Sequence, residues 1–536
     1  MKYPFLKYSS ITIILLLIVF YLFNFISYHI SILYFPFQLE YREGAQLLVA
    51  SELYNGNLPY TLENQPYLAD VFGCMYPLIV IPMFKLFGIK LFTLRLLTAI
   101  CVFLSTLFFF LFLKKSKINL TISVLVSIIF YGVNMYSCIP ICRPDALGFL
   151  FFILALYIPT RRNYSSYSLI LSIILSYFAY LTKSYFIVAF PFVLIYVFLF
   201  KNIFRSIKYF CYLVAGFIIL QILIYFIFDF YFLGTFIPQF LSSVFDLGHL
   251  LRQLNFYFLK LLLIPSILIG IFLMYFLLKK RNVILNVVDH KINLRELLNL
   301  NDFNKPFIRY SKPVNENILY CILGLCLIIF KLGGHTGQFG VYLIHFLSFS
   351  FLFLFAFIVN KYYSKFRIAF FVLFLLIFKQ LSKEIIIDPS AYNTSSFNKI
   401  STYIKNNKKV LSTPMFASIL INNKKPVYES GLTEYFYYVP TLKNSTGIPK
   451  PLAMLKDKLI LKTILKAEKK GDNYLHFIEK SIKNKTFDLI LIDDSEYDNW
   501  ILDSKILFKN YKIVDKLNVI MYSSYLPFEV YVLKPI

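Results

Sequence analysis

Acidic side chains are scarce in this chain: 28 Asp and Glu stand against 54 Lys and Arg among 536 residues, a formal net charge of +26. So basic a balance suggests nucleic acid, but the Lys and Arg residues gather in short clusters between apolar runs, where the orientation signals of membrane proteins sit. No nucleic-acid partner is expected. Charge of either sign is itself sparse, 15% of residues against 59% hydrophobic, which excludes a soluble globule of this length. Cysteine is missing after Cys326, so the polar C-terminal region carries no disulfide framework, and no pair has the CxxC spacing of a zinc site. Cys138 and Cys142 read as small apolar residues at a helix end.

What is present is a series of apolar runs over the first 380 or so positions, each of the roughly 20 residues that a helix needs to cross a hydrocarbon core of about 30 Å. Backbone groups there must be satisfied within the run, so each is expected to be helical. The first, near Ser10 to Phe35, is too long for a signal-peptide core and no small-residue cleavage site follows it; it reads as a retained anchor. Lys2 and Lys7 place the N-terminus in the cytoplasm. Later basic clusters at Lys114–Lys117, Arg161–Arg162, Lys201–Lys208, Lys279–Arg281 and Lys361–Lys365 can all share that side, which gives about eleven crossings. Residues 1–387 then form a multi-pass membrane domain.

The odd count puts residues 388–536 outside. About 149 residues suffice for an independent core, and the texture there is that of a small α/β domain. "KKVLSTPMFASILINNKKPVYESG" reads as strand, helix, strand; "FDLILIDD" and "FEVYVLKP" read as further strands. The mixed-charge stretch from Arg281 to Glu316 is a cytoplasmic loop in this scheme.

The same parity gathers the polar oddities of the membrane domain on the outer face. Five of the few acids, Glu40, Glu43, Glu52, Glu63 and Asp70, fall in the first outer loop with Arg42. Glu40 and Glu43, three apart, would share a helix face, and a carboxylate beside a membrane cavity can take a proton from an attacking hydroxyl or hold a cation. An ordinary solvated loop is the bland reading. "CRPDALG" sets Arg143 and Asp145 at a helix mouth, where a charge is costly unless paired or functional, although Asp145 also suits a simple cap. Lys183 in "AYLTKSYF" breaks the positive-inside pattern and suits a lipid-linked phosphate, or else snorkels to the interface. "KLGGHTGQFG" offers Lys331 and His335 among four glycines; it is no P-loop, since no strand precedes it. "DDSEYD", Asp493 to Asp498, invites comparison with a DxD metal site but reads best as a solvated strand end.

Taken in order, the acidic motif after the first helix, "GNLPY", "YPLIVIP", the "RPD" turn, "LTKSYFIVAFP", "KLGGHT" and a trailing α/β domain resemble the GT-C membrane glycosyltransferases. The nearest branch is that of the protein O-mannosyltransferases and the lipid A aminoarabinose transferase. The resemblance implies transfer of a sugar from a polyprenyl-phosphate donor, within the bilayer, to a glycan, lipid or protein acceptor outside the cytoplasm. It places the first-loop acid on Glu40 or Glu43, with Arg42 where an Asp would precede Glu43, and the lipid phosphate on Arg143, Lys183 and Lys331; Asp70, Asp145 and His335, read from their own segments, are further candidates for substrate binding. Cationic side chains can neutralise the leaving phosphate without a metal; a divalent ion is the one cofactor left open. The main alternative is a transporter or flippase for lipid-linked sugars, which would be expected to show internal repeats; none is visible.

Overall fold

The computed structural model describes residues 4–138, 142–236, 246–272, 274–275, 320, 324, 341–385, 394–429, 458–493, 504–520 and 527–536. The chain is mainly helical. Helix α1 (Pro4–Tyr34) leads into α2 (Tyr41–Tyr54), α3 (Met75–Phe87), α4 (Leu91–Lys115), α5 (Leu120–Cys138), α6 (Asp145–Arg161) and α7 (Ser166–Thr182). After a 3-10 turn, Ser184–Val188, follow α8 (Ala189–Phe200), α9 (Ile203–Ile227), α10 (Leu247–Asn255), α11 (Val341–Tyr362) and α12 (Arg367–Ile385).

Among the described residues four helices are long and apolar enough to cross a membrane: Thr12–Tyr34, Leu91–Lys115, Ile203–Ile227 and His345–Tyr362. A fifth candidate span is bent by 99° between Leu247–Leu261 and Leu263–Phe272, and several further apolar helices are shorter. Their surface pattern suits lipid. On α9 the side chains of Ile218, Ile222, Leu223 and Phe226 are more than half exposed, Phe226 by 80%, which only an apolar solvent makes affordable. Inward faces instead interlock through aromatic rings, as where Phe109 stacks on Phe130 at 4.1 Å between α4 and α5.

The C-terminal part carries α13 (Thr394–Asn406), β1 (Val410–Ser412), α14 (Ala417–Asn422), α15 (Lys458–Lys483), β2 (Leu489–Asp493), α16 (Ser504–Asn510), β3 (Tyr511–Ile520) and β4 (Pro527–Pro535). The strands form one sheet in the order β1-β2-β4-β3, with β1 and β2 parallel and the remainder antiparallel. Because strand side chains alternate between faces, Leu411, Ile490 and Leu533 meet Tyr474, Ile478 and Ile482 of α15. Their neighbours Val410, Leu489, Leu491 and Val532 face the other way and join the core that continues into the membrane helices. The strands expected at "FDLILIDD" and "FEVYVLKP" are present. The second strand expected after "SILINN" is not: the chain turns at Asn423–Lys424, Lys424 taking φ of 55°, and Pro426, with no N–H to give to a ladder, leads it away.

The loop between α2 and α3 is fastened to the end of α7. Gly73 N donates to Thr182 O at 3.0 Å, and a Cβ built on Gly73 would lie 1.8 Å from Leu181 O. Gly73→Ala is therefore expected to push this loop off α7 and lower stability by about 1–3 kcal/mol. Thermal unfolding of the detergent-solubilised protein measures it; an unchanged midpoint would contradict this contact.

Candidate active site

Six of the eight residues singled out in the sequence converge on one buried region. Helix α2 begins at Glu40, which acts as its N-cap, Oε2 accepting from Arg42 N at 3.0 Å. Its Oε1 is 3.2 Å from Arg42 Nη1 and 3.6 Å from Arg143 Nη2, so two guanidinium groups flank this carboxylate at 1% exposure. Asp145 opens α6, and its Oδ1 accepts from Lys183 Nζ at 2.9 Å and from the Tyr185 hydroxyl at 2.6 Å. Lys183 also lies over the rings of Phe72, at 4.8 Å, and Tyr185, at 5.4 Å. The charges of Arg143 and Arg42 are near enough to oppose that of Lys183. Burial pulls Lys183 down to about 8, and Asp145 holds it partly back.

Asp70 belongs to the same region through the positive charge of Lys183. Its Oδ1 accepts from Gln46 Nε2 at 3.1 Å and Phe72 N at 2.9 Å, and its Oδ2 from the Tyr60 hydroxyl at 3.0 Å. Burial pushes it up to about 7, against the pull of these donors and of Lys183. Lys331 and His335 lie outside the described residues. So do positions 494–498 of the "DDSEYD" stretch, whose first residue, Asp493, ends β2 and accepts from Thr413 Oγ1 at 2.8 Å.

The two first-loop glutamates do not share surroundings. Glu43 is bound by both arms of a fully buried arginine: Arg95 Nε donates to Oε1 at 2.9 Å and Nη2 to Oε2 at 2.7 Å. Leu39 N and Cys142 N take up further acceptor positions on the same carboxylate. The guanidinium in turn donates to the carbonyls of Ile32 in the last turn of α1 and of Phe35 and Phe37 just beyond it. Every oxygen of Glu43 is thus engaged. Glu40 is contacted by Arg143, whose Nε is buried with no hydrogen-bond partner among the described residues, as are Asp145 Oδ2 and Gln46 Oε1 elsewhere in the cluster.

Arg95, Tyr185, Gln46 and Tyr60 were not picked out from the sequence. Arg95 did carry a signal, as a lone cation inside the apolar run "LFTLRLLTAI", where it is costly unless paired. Gln38 is a further surprise. Its Nε2 donates to Pro414 O at 3.2 Å and its Oε1 accepts from Ser418 N at 2.7 Å, which ties the segment before Glu40 to the β1–α14 connection.

Fold and site together define a polytopic helical protein with a buried cluster of charged side chains beside the segment that contacts an α/β unit. No family model matches the chain, and no curated protein matches it in sequence. Solved structures do. The crystal structure of ArnT from Cupriavidus metallidurans in the apo state superposes with a TM-score of 0.54 at 11% identity, covering 96% of this chain and 97% of that one. The same protein bound to undecaprenyl phosphate gives 0.55 at 10% identity, with the same coverage. The chain therefore has the ArnT fold over nearly its whole length, as the order of motifs led us to expect.

Two outcomes are expected. Arg95→Ala leaves Glu43 buried and unpaired, which should cost about 3–5 kcal/mol; loss of monodisperse protein on size exclusion is the readout, and a well-behaved variant would contradict the clamp. The Asp70 carboxyl is raised in the folded state from 3.8 to about 7, so its contribution to stability is complete at acid pH and is lost as pH climbs through that interval. Melting profiles from pH 4 to 8 should fall for the native chain and flatten for Asp70→Asn; parallel profiles would show that Asp70 ionises normally.

Proposed function

We propose that the chain is an integral membrane glycosyltransferase, moving a sugar from a polyprenyl-phosphate donor to an extracytoplasmic acceptor such as a glycolipid, polysaccharide or protein. The ArnT fold supports this reading, and so does the capture of undecaprenyl phosphate by one ArnT structure. The observation that carries it is the chain's own charged cluster: carboxylates and cations drawn from four separate turns meet, and some buried polar atoms there have no hydrogen-bond partner among the described residues.

In this reading Glu40 is the base. An acceptor hydroxyl gives its proton to the Glu40 carboxylate as its oxygen forms a bond to the anomeric carbon. The bond from that carbon to the phosphate oxygen breaks, and the electron pair leaves with the polyprenyl phosphate. Arg143 and Lys183 meet the developing charge. Asp145 and Tyr185 fix Lys183, and Asp70 with Gln46 holds the sugar. Glu43 is assigned to the Arg95 clamp, which leaves it no lone pair for the acceptor proton. Among the described residues no group of three or more His, Cys, Asp or Glu gathers as a metal site. We assign residues 1–387 to the membrane-embedded catalytic domain and 388–536 to an extracytoplasmic domain, with the N-terminus in the cytoplasm.

Glu40→Gln keeps the cap acceptor but removes the base, so transfer of labelled sugar from a polyprenyl-phosphate donor in proteoliposomes should drop about 10²–10⁴-fold. Lys183→Gln should instead raise the KM for donor. Unchanged turnover in Glu40→Gln would remove the base assignment.

A further inference from the structure

A concavity of about 1150 Å³ lies against α2 away from the charged cluster. Leu48, Ser51, Glu52 and Asn55 line it, a spacing of 3, 1 and 3 that marks one helix face. At 100° per residue that face is nearly opposite the one bearing Gln46 and Glu43, which look toward Asp70 and Arg95. The concavity is therefore separate from the site already described, and its argument does not depend on the proposed reaction.

Its walls have two characters. One is apolar and aromatic: Tyr34 and Phe35 from the end of α1, with Leu91 and Phe92 from the start of α4. Both helices are long and apolar enough to cross a membrane; Phe35 and Leu91 are buried, while Phe92 is partly exposed. Tyr34 and Phe92 rings pack at 5.1 Å, Phe87 adds a third ring 6.1 Å from Phe92, and Tyr34 is 70% exposed. Amphipathic rings at helix ends belong at the level of lipid headgroups. The other wall is cationic. Lys90 caps the start of α4, while Lys424 and Lys425 come from the turn after α14, on the opposite rim. Lys425 donates to Asn407 O at 2.7 Å. The single carboxylate, Glu52, receives the Asn57 side-chain amide at 2.5 Å.

Three lysines against one engaged carboxylate, above an apolar wall, is the complement of an anionic amphiphile. We propose that this groove binds an acidic glycerophospholipid of the surrounding membrane, its phosphate between Lys90 and Lys424 and an acyl chain along Leu91 and Phe92. The volume is sufficient for a headgroup and the first part of a chain. By seating a lipid between α1, α4 and the 421–427 segment, the site fastens the α/β unit to the bilayer surface.

The test uses the full-length protein in mild detergent, with native mass spectrometry of bound lipid. Phosphatidylglycerol should be retained as a single tight adduct, at least about tenfold better than phosphatidylcholine, and inorganic phosphate should not displace it. The paired substitution Lys90→Gln and Lys424→Gln should weaken that adduct about tenfold or more, each lysine near a headgroup contributing a several-fold factor. Lys208→Gln, an exposed lysine at the far end of α9's first turns, should leave it unchanged. Equal retention of the two lipids, displacement by free phosphate, or equal losses in the paired and control variants would overturn the assignment. Sugar transfer is not read in this experiment, so its outcome is independent of the proposed reaction.

Discussion

The fully buried pair of Arg95 and Glu43 is the constraint on which the site's geometry rests. A guanidinium inside an apolar helix is tolerable only when its donors are all engaged. Arg95 engages them on two carboxylate oxygens and on three carbonyls at and just past the end of α1. One side chain of α4 therefore fixes where α1 stops, where α2 starts and how the backbone turns between them. Glu40 sits inside that turn. The turn that carries it is set by Arg95 and Glu43, which take no part in the proposed reaction, and that is the preorganisation the proposed base role asks for.

Around this fixed point the charges are arranged in near balance. Glu40 is flanked by Arg42 and Arg143, and Asp145 holds Lys183, while Asp70 lies close enough to feel the lysine. Buried ions without partners would be prohibitive here, so the cluster pairs its own charges. The same arrangement suits exchange. In the proposed reaction a phosphate beside Arg143 and Lys183 would meet Arg143 Nε, which has no partner among the described residues, so binding would add a contact rather than only replace one. Unpartnered polar atoms near ionised ones are expensive in a native protein unless something else completes them.

Much of this was legible in the sequence, for physical reasons that are easy to name. Long apolar runs and parity of basic clusters follow from the hydrocarbon core, and they bring the turns bearing Glu40, Arg143 and Lys183 to one region, as the structure does. The α/β texture of the last part was also readable, because buried strands such as Leu489–Asp493 are short continuous apolar runs between turns. What the sequence hid are the pairings. Spacing placed Glu40 and Glu43 on one face, but Glu40 is the cap, not a helical residue, so a single turn of helix start separates their partners completely. Arg95, 52 positions from Glu43, has no local pattern that names its partner. The strand missed at Tyr511–Ile520 alternates charge and apolar residues around a bulge between Ile513 and Asp515, which breaks the period that would reveal it.

The contact between the α/β unit and the membrane helices carries the last step. Gln38 uses both ends of its amide on the β1–α14 connection, Phe37 stacks on Phe397 of α13 at 4.9 Å, and a Cβ on Gly44 would strike Gln38 and Ala417. These contacts fall on the two residues before Glu40's own neighbour and on the first turn of α2. The α/β unit is thus packed against the segment whose other side Arg95 holds. Glu40 is positioned from both directions, by an ion pair from below and a hydrogen-bonded amide from above. Gln38 Nε2, which donates to Pro414 O, also lies 3.4 Å from the Glu40 carbonyl, so the same amide contacts the α/β unit and the cap of α2.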